Sequence, residues 1–196
     1  MNIEKELRKL NKRTSDNIWW HTRVFSRPFT VNEMVEVRIS KILALRPLEL
    51  PVEKALPTAK ELKRSNLPVM ARQLVLRNAG DESKHSLVLN NIHAFYKSET
   101  KNDVKEGARQ IIDRWNEEFE IQNPYLASYN LEAGVLLPIL NFMRPHLPFY
   151  AQIQPIIRDE EAHVKTNAIV SFGIYKEKNK ARLRNLARET TDWVFN

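Results

Sequence analysis

Two stretches decide how this chain is read: DESKH at residues 81–85 and DEEAH at residues 159–163. Each sets an aspartate four residues, and a glutamate three residues, before a histidine. On a helix, positions three and four apart share a face, so each stretch presents a carboxylate and an imidazole side by side. The chain has 24 acidic residues among 196, and five histidines. By composition alone a histidine has acids at both positions about 1.5 % of the time, and two such cases among five arise roughly 0.2 % of the time. A lone Glu-x-x-His is a weak signal; the pair is a strong one. Glu82 and His85 share a predicted face with Ala71, Leu74, Val75, Asn78, Leu89 and Ile92. Glu160 and His163 share one with Ile153, Ile156, Val164, Asn167 and Val170. Both faces are mostly apolar and so point inward. Ionised carboxylates buried without partners are strongly disfavoured, and a divalent cation compensates them well.

Two cations need more carboxylates than these. In four-helix bundles that hold two metals, two helices each supply a glutamate and the other two each supply Glu-x-x-His. Glu132 is the only acid between Glu120 and Asp159. It sits in SYNLEAGVLLPIL on a face with Tyr125, Ser128, Val135, Leu136 and Ile139, where neither capping nor solvation accounts for it. A fourth carboxylate is expected on a helix over about residues 31–45. There Glu36 flanks the apolar face of Val35, Ile39 and Ile42, and Glu33 points away from it, so Glu36 is the expected ligand.

Helical periodicity recurs along the chain. Helices are predicted over about 2–15, 31–45, 68–97, 103–120, 124–143, 149–175 and 181–194, with Thr30 capping the second and Glu33 completing a capping box. Pro47, Pro51, Pro57 and Pro68 mark a connector with one helical turn near 60–64, and Pro145 and Pro148 mark another turn. No composition shift divides the chain, so residues 1–196 are read as one domain with a core bundle over about 31–175.

The chain lacks cysteine, which excludes disulfides, thiolate metal sites and cysteine nucleophiles. No apolar run reaches the roughly 20 residues that span a bilayer, and the first residues lack a signal-peptide core. A cytoplasmic protein is expected. The formal charge of +7 collects near the ends, in residues 5–9 and 176–188. With no nucleic-acid motif present, those ends are read as solvated surface and no nucleic-acid partner is expected. Trp19, Trp20 and His21 are read as a cover over one end of the bundle or a contact in a homodimer. Tyr96, Tyr125 and Tyr129 are read as core residues with bonded hydroxyls, or alternatively as electron relays; His93 is read as a core histidine.

The stretch IIRDEEAH, with Glu132 lying 28 residues before Glu160, resembles the ferritin-like di-iron carboxylate superfamily. It is similar to the second half of aldehyde-deformylating oxygenases and of ribonucleotide reductase small subunits. The resemblance implies an all-α, ferritin-like four-helix bundle with additional N-terminal, connecting and C-terminal helices. It implies two Fe ions, or Mn at one or both positions, held by Glu36, Glu82, His85, Glu132, Glu160 and His163. It also implies that Asp81 orients His163 and Asp159 orients His85. The activity implied is oxidation or oxygenation of a small organic substrate by O₂, with an electron donor. Iron storage or ferroxidase activity, and a radical-generating subunit, are the alternatives. The interval from Glu36 to Glu82, 46 residues, exceeds the roughly 30 typical of the superfamily's motif.

Overall fold

The computed structural model of the chain describes residues 2–15, 28–49, 52, 56–147 and 150–196. Trp19, Trp20 and His21 lie outside these residues, as do Pro51, Pro148 and Phe149. The fold is all-α: among the described residues the only extended pairing is a bridge between Phe29 and Tyr96. The helices are α1 (Ile3–Ser15), α2 (Glu33–Ala44), α3 (Ala59–Arg64), α4 (Val69–Phe95), α5 (Asn102–Ile121), α6 (Pro124–Leu131), α7 (Leu137–Met143), α8 (Tyr150–Ala168) and α9 (Ala181–Phe195). A 3₁₀ turn, Arg46–Leu48, follows α2. None of these helices is long and apolar enough to cross a membrane.

Local chemistry sets the starts. The expected cap at Thr30 is not used. Asn32 takes that place, its side-chain oxygen accepting from the Met34 backbone N–H at 2.9 Å, and α2 begins at Glu33. An asparagine next to the first helical residue reaches the free N–H groups, and Thr30 stands two residues too early. Thr58 and Glu61 form a reciprocal capping box on α3. Pro68 precedes α4, where a missing N–H costs nothing. Asn123 caps α6, accepting from Tyr125 N–H at 3.0 Å, and Pro124 occupies its first position.

Residues 124–143 and 150–174 are continuous helical rods, each widened into a π segment where the sequence reading predicted plain α-helix. The first, Glu132–Leu136, lies just before Pro138. Proline cannot donate to the carbonyl four residues back and its ring crowds it. The ladder shifts by one instead, and Leu137 N–H reaches the Glu132 carbonyl. The second, Ile169–Ile174, closes with Tyr175 N–H on the Val170 carbonyl at 2.9 Å, followed by Lys176 at φ 58°.

Packing forms two layers. In the inner one α4 lies against α8, and α8 against the rod formed by α6, the π segment and α7, while α1 rests on α4 and α8. In the outer one α5 buries Val104, Ala108, Ile111 and Trp115, spaced three and four apart, and packs on α2 and α6. α9 packs on α2, on α6 and on the first π segment. Trp115 is fully buried, and its indole N–H donates to Thr190 Oγ1 at 3.2 Å, joining α5 to α9.

Candidate metal centre

The buried stripe of α4 runs Ala71, Leu74, Val75, Asn78, Asp81, Glu82, His85, Val88, Leu89, Ile92. Its ends are apolar and its middle is polar. The stripe of α8 repeats the pattern with Ile153, Ile156, Ile157, Asp159, Glu160, Ala162, His163, Thr166 and Asn167. Where the helices cross, the polar middles meet. Glu82, His85 and Glu160 are 0 % exposed and His163 is 1 % exposed, a burial that demands compensation.

The geometry is nearly two-fold. His85 Nδ1 lies 2.9 Å from Glu160 Oε1, and His163 Nδ1 lies 2.8 Å from Glu82 Oε1. The imidazoles stack with centroids 5.6 Å apart. Each ring turns its other nitrogen toward the aspartate of the opposite helix: His85 Nε2 is 3.5 Å from Asp159 Oδ2, and His163 Nε2 is 3.6 Å from Asp81 Oδ2. Asp81 is further held by Lys84 Nζ at 2.7 Å.

Glu132 enters from the first π segment, 0 % exposed, and Asn167 Nδ2 donates to its two oxygens at 3.1 and 2.9 Å. On the opposite flank the place expected of Glu36 belongs to Glu49. This residue is 1 % exposed, and its Oε2 lies 3.8 Å from His85 Nδ1. Glu36 is half-buried on α2, away from the cluster, and its backbone carbonyl accepts from the Tyr96 hydroxyl at 3.3 Å. Glu33 is exposed. The physical reason is the direction of α2, which packs on α5, α7 and α9 rather than on α4. Only beyond the 3₁₀ turn does the chain reach the centre, at Glu49. One signal marked it: Glu49 stands 33 residues before Glu82, close to the 28 that separate Glu132 from Glu160.

These side chains form two groups, Glu49 with Glu82, His85 and Glu160, and Glu132 with Glu82, Glu160 and His163. Within each, one potential ligand atom per residue lies within 4.8 Å of all the others. Glu82 and Glu160 belong to both. Each group can hold a metal ion.

Three observations test the fit. The oxygens of Glu49, Glu82 and Glu160 are buried and make no well-formed hydrogen bond. They face one another across a common space. Among the described residues no lysine or arginine pairs with any of the four glutamates, so only His85 and His163 offer them positive charge, two imidazoles for four carboxylates. Finally, carboxylate with imidazole and no thiolate suits Fe(II) or Mn(II), and two divalent ions offset four carboxylates.

Without cations the cluster holds protons in their stead. Burial pushes the Glu49, Glu132 and Glu160 carboxyls up, and neighbouring carboxylates add to the effect. Burial works against charge on the imidazoles, yet the surrounding acids prevail. Asp159, Glu160, Glu49 and Glu82 hold His85 well above its usual range, and Asp81, Glu82 and Glu160 do so for His163. Glu82, despite its burial, is held below the usual carboxylate range by the His163 and His85 imidazoles beside it. Such exchange of protons for metal is the expected behaviour of an oxygen- and nitrogen-rich site.

No protein-family model matches the chain, and neither a curated protein nor a solved structure matches it.

Proposed function

We propose that the chain is a di-iron carboxylate protein of ferritin-like type that uses O₂ to oxidise or oxygenate a small organic substrate, with electrons from an external donor. The observation that carries this reading is the pair of overlapping glutamate–histidine groups sharing Glu82 and Glu160. In this reading Glu82 and Glu160, shared by both groups, would serve two ions, and Glu49 and Glu132 would each complete one group. His85 and His163 would hold the ions through Nδ1, the nitrogen each turns toward the glutamates. Asp159 stands within hydrogen-bond reach of His85 Nε2 at 3.5 Å and Asp81 faces His163 Nε2 at 3.6 Å, so each aspartate would orient the opposite ring and favour a proton on Nε2, leaving Nδ1 for the metal. A ferrous pair, when bound, supplies the electrons that reduce O₂. The chain positions the pair and excludes bulk water, and the ions would displace the protons that burial favours on Glu49, Glu132 and Glu160. Buried Leu74, Leu89, Leu131, Val135, Ile156 and Val170 make the surroundings apolar, which suits an organic substrate and protects a strong oxidant.

The test is anaerobic reconstitution with Fe(II), followed by O₂. The expected result is two irons per chain, magnetically coupled after oxidation, with O₂ uptake that turns over when a reductant and a suitable organic substrate are added. Binding of one iron or none per chain would overturn the dinuclear reading. Two irons with no product across aliphatic, aromatic and amine substrates would overturn the oxygenase reading and leave iron handling.

A further inference from the structure

We infer that the concavity where the Arg46–Leu48 turn meets the start of α5 binds a phosphate dianion, either free or carried on a small metabolite. The cavity measures about 290 Å³, and Arg46, His93, Lys105 and Arg109 converge on it together with the hydroxyl-bearing Thr100. These residues come from the turn after α2, the end of α4, the loop beyond it and the first turns of α5. Among the described residues no carboxylate lines the cavity. This inference does not depend on the metal reading.

Arg46 is the central observation. Its guanidinium is half-buried and pinned, Nε donating to Asn90 Oδ1 at 2.9 Å and Nη1 to the Leu43 carbonyl at 2.8 Å. Both acceptors are neutral, so the charge is held in place without being offset. A guanidinium has five N–H donors, and these two bonds leave others to turn into the cavity. Burial lowers its proton affinity, a sign that the charge is costly where it stands. His93, read from the sequence as an enclosed core histidine, is instead half-buried on the cavity wall. Its affinity for a proton is lowered by burial first, and then by the positive charges of Arg46 and Lys105. The neutral ring can donate one N–H to an oxyanion.

Lys105 and Arg109 lie one turn apart on the same face of α5. Glu106 engages Arg109 at 2.8 and 3.1 Å from outside the cavity lining, and among the described residues no carboxylate pairs with Lys105 or Arg46. Charged and neutral donors arriving from several directions match a tetrahedral dianion better than a halide. The volume exceeds that of the anion, and Ala108 and Ile112 offer an apolar wall to a few attached carbons.

The test is calorimetric titration of the full chain with inorganic phosphate and, separately, with glycerol 3-phosphate, at constant ionic strength in chloride. The expected result is saturable binding of one equivalent, and the tighter probe tells whether the dianion is taken free or on a carrier. Lys105→Gln, an exposed change, should weaken binding about tenfold with helical circular dichroism unchanged, and Arg46→Gln should do the same. Glu106→Gln releases Arg109 and should tighten binding about threefold. No saturable binding above the chloride background overturns the inference. So does binding that Lys105→Gln leaves unchanged, which would place the phosphate at the glutamate–histidine cluster or elsewhere.

Discussion

Asn167 donates from one amide nitrogen to both carboxylate oxygens of Glu132, at 3.1 and 2.9 Å, whereas neither oxygen of Glu49 on the opposite flank accepts a well-formed hydrogen bond. The near two-fold arrangement of the motifs is therefore broken at its edges. The residue four beyond His163 is Asn167, and the residue four beyond His85 is Leu89. A held carboxylate loses little freedom on binding a cation, so the Glu132–His163 side is the more preorganised. In an anaerobic titration with Fe(II) or Mn(II), the first equivalent should bind more tightly than the second. Asn167→Ala should bring the two affinities together. It should also destabilise the metal-free chain by about 1–3 kcal/mol, because Glu132 is left buried without its donor. Two equivalent binding events in the unaltered protein would rule out this asymmetry.

Stoichiometry distinguishes the carboxylates. Glu160 belongs to both groups, Glu49 to one and Glu36 to neither. Glu160→Ala should abolish binding of both ions with the helices retained, Glu49→Ala should leave about one ion per chain, and Glu36→Ala should leave two. Metal analysis after desalting, with circular dichroism as the check on folding, reads all three. Loss of an ion in Glu36→Ala alone would mean that the turn carrying Glu49 rearranges when the centre fills.

That comparison also shows what was legible in the chain beforehand. The repeated Asp-Glu-x-x-His spacing is local, and helix geometry carries it directly into space, so Glu82, His85, Glu160 and His163 could be read from residue order. Glu132 could be read because no other acid stands near it. Glu49 could not be found by periodicity, since it lies between Pro47 and Pro51 in a stretch with the composition of a connector. Its role depends on the direction in which α2 leaves the core, a property of packing rather than of local pattern. The π segments escaped for a related reason, because an apolar stripe of period 3.6 does not reveal a single shifted hydrogen bond.

Stability should depend on pH in opposite senses with and without metal. In the metal-free chain Glu49, Glu132, Glu160, His85 and His163 all have proton affinities raised by folding. A raised folded value gives stability that is complete below the unfolded value and is lost as pH rises through the folded one. For the carboxyls the loss begins above about pH 4.5, and for the imidazoles above about pH 6.5. Glu82 runs the other way: its lowered value contributes stability that is complete above about pH 4.5 and is lost progressively as the solution is made more acidic. The metal-free chain should therefore melt at progressively lower temperature from mildly acidic to alkaline solution. Metal needs the deprotonated ligands, so its stabilising effect should grow over the same range, with protons released on binding. Melting curves taken across pH with and without a chelator, together with a proton-release measurement in weak buffer, check both signs. A metal effect that shrinks as pH rises would contradict the assignment of these residues as ligands.

The π segment that carries Glu132 also packs closely on the outer layer. A Cβ built on Gly134 would stand 2.7 Å from the Cβ of Ala187 on α9. The two backbones approach so closely only because residue 134 has no side chain. Gly134→Ala should force α9 outward and destabilise the chain by about 1–3 kcal/mol, the usual cost of overpacking. If the contact is the cause, Ala187→Gly should be mild alone and should recover most of the loss when combined with Gly134→Ala. The same variants test whether the outer layer supports the site. Displacement of α9 relaxes the segment that begins at Glu132, so Gly134→Ala should weaken the first metal equivalent, and the double variant should restore it. Recovery of stability without recovery of metal affinity would show that the backbone at Glu132 is set by Pro138 and the inner layer alone.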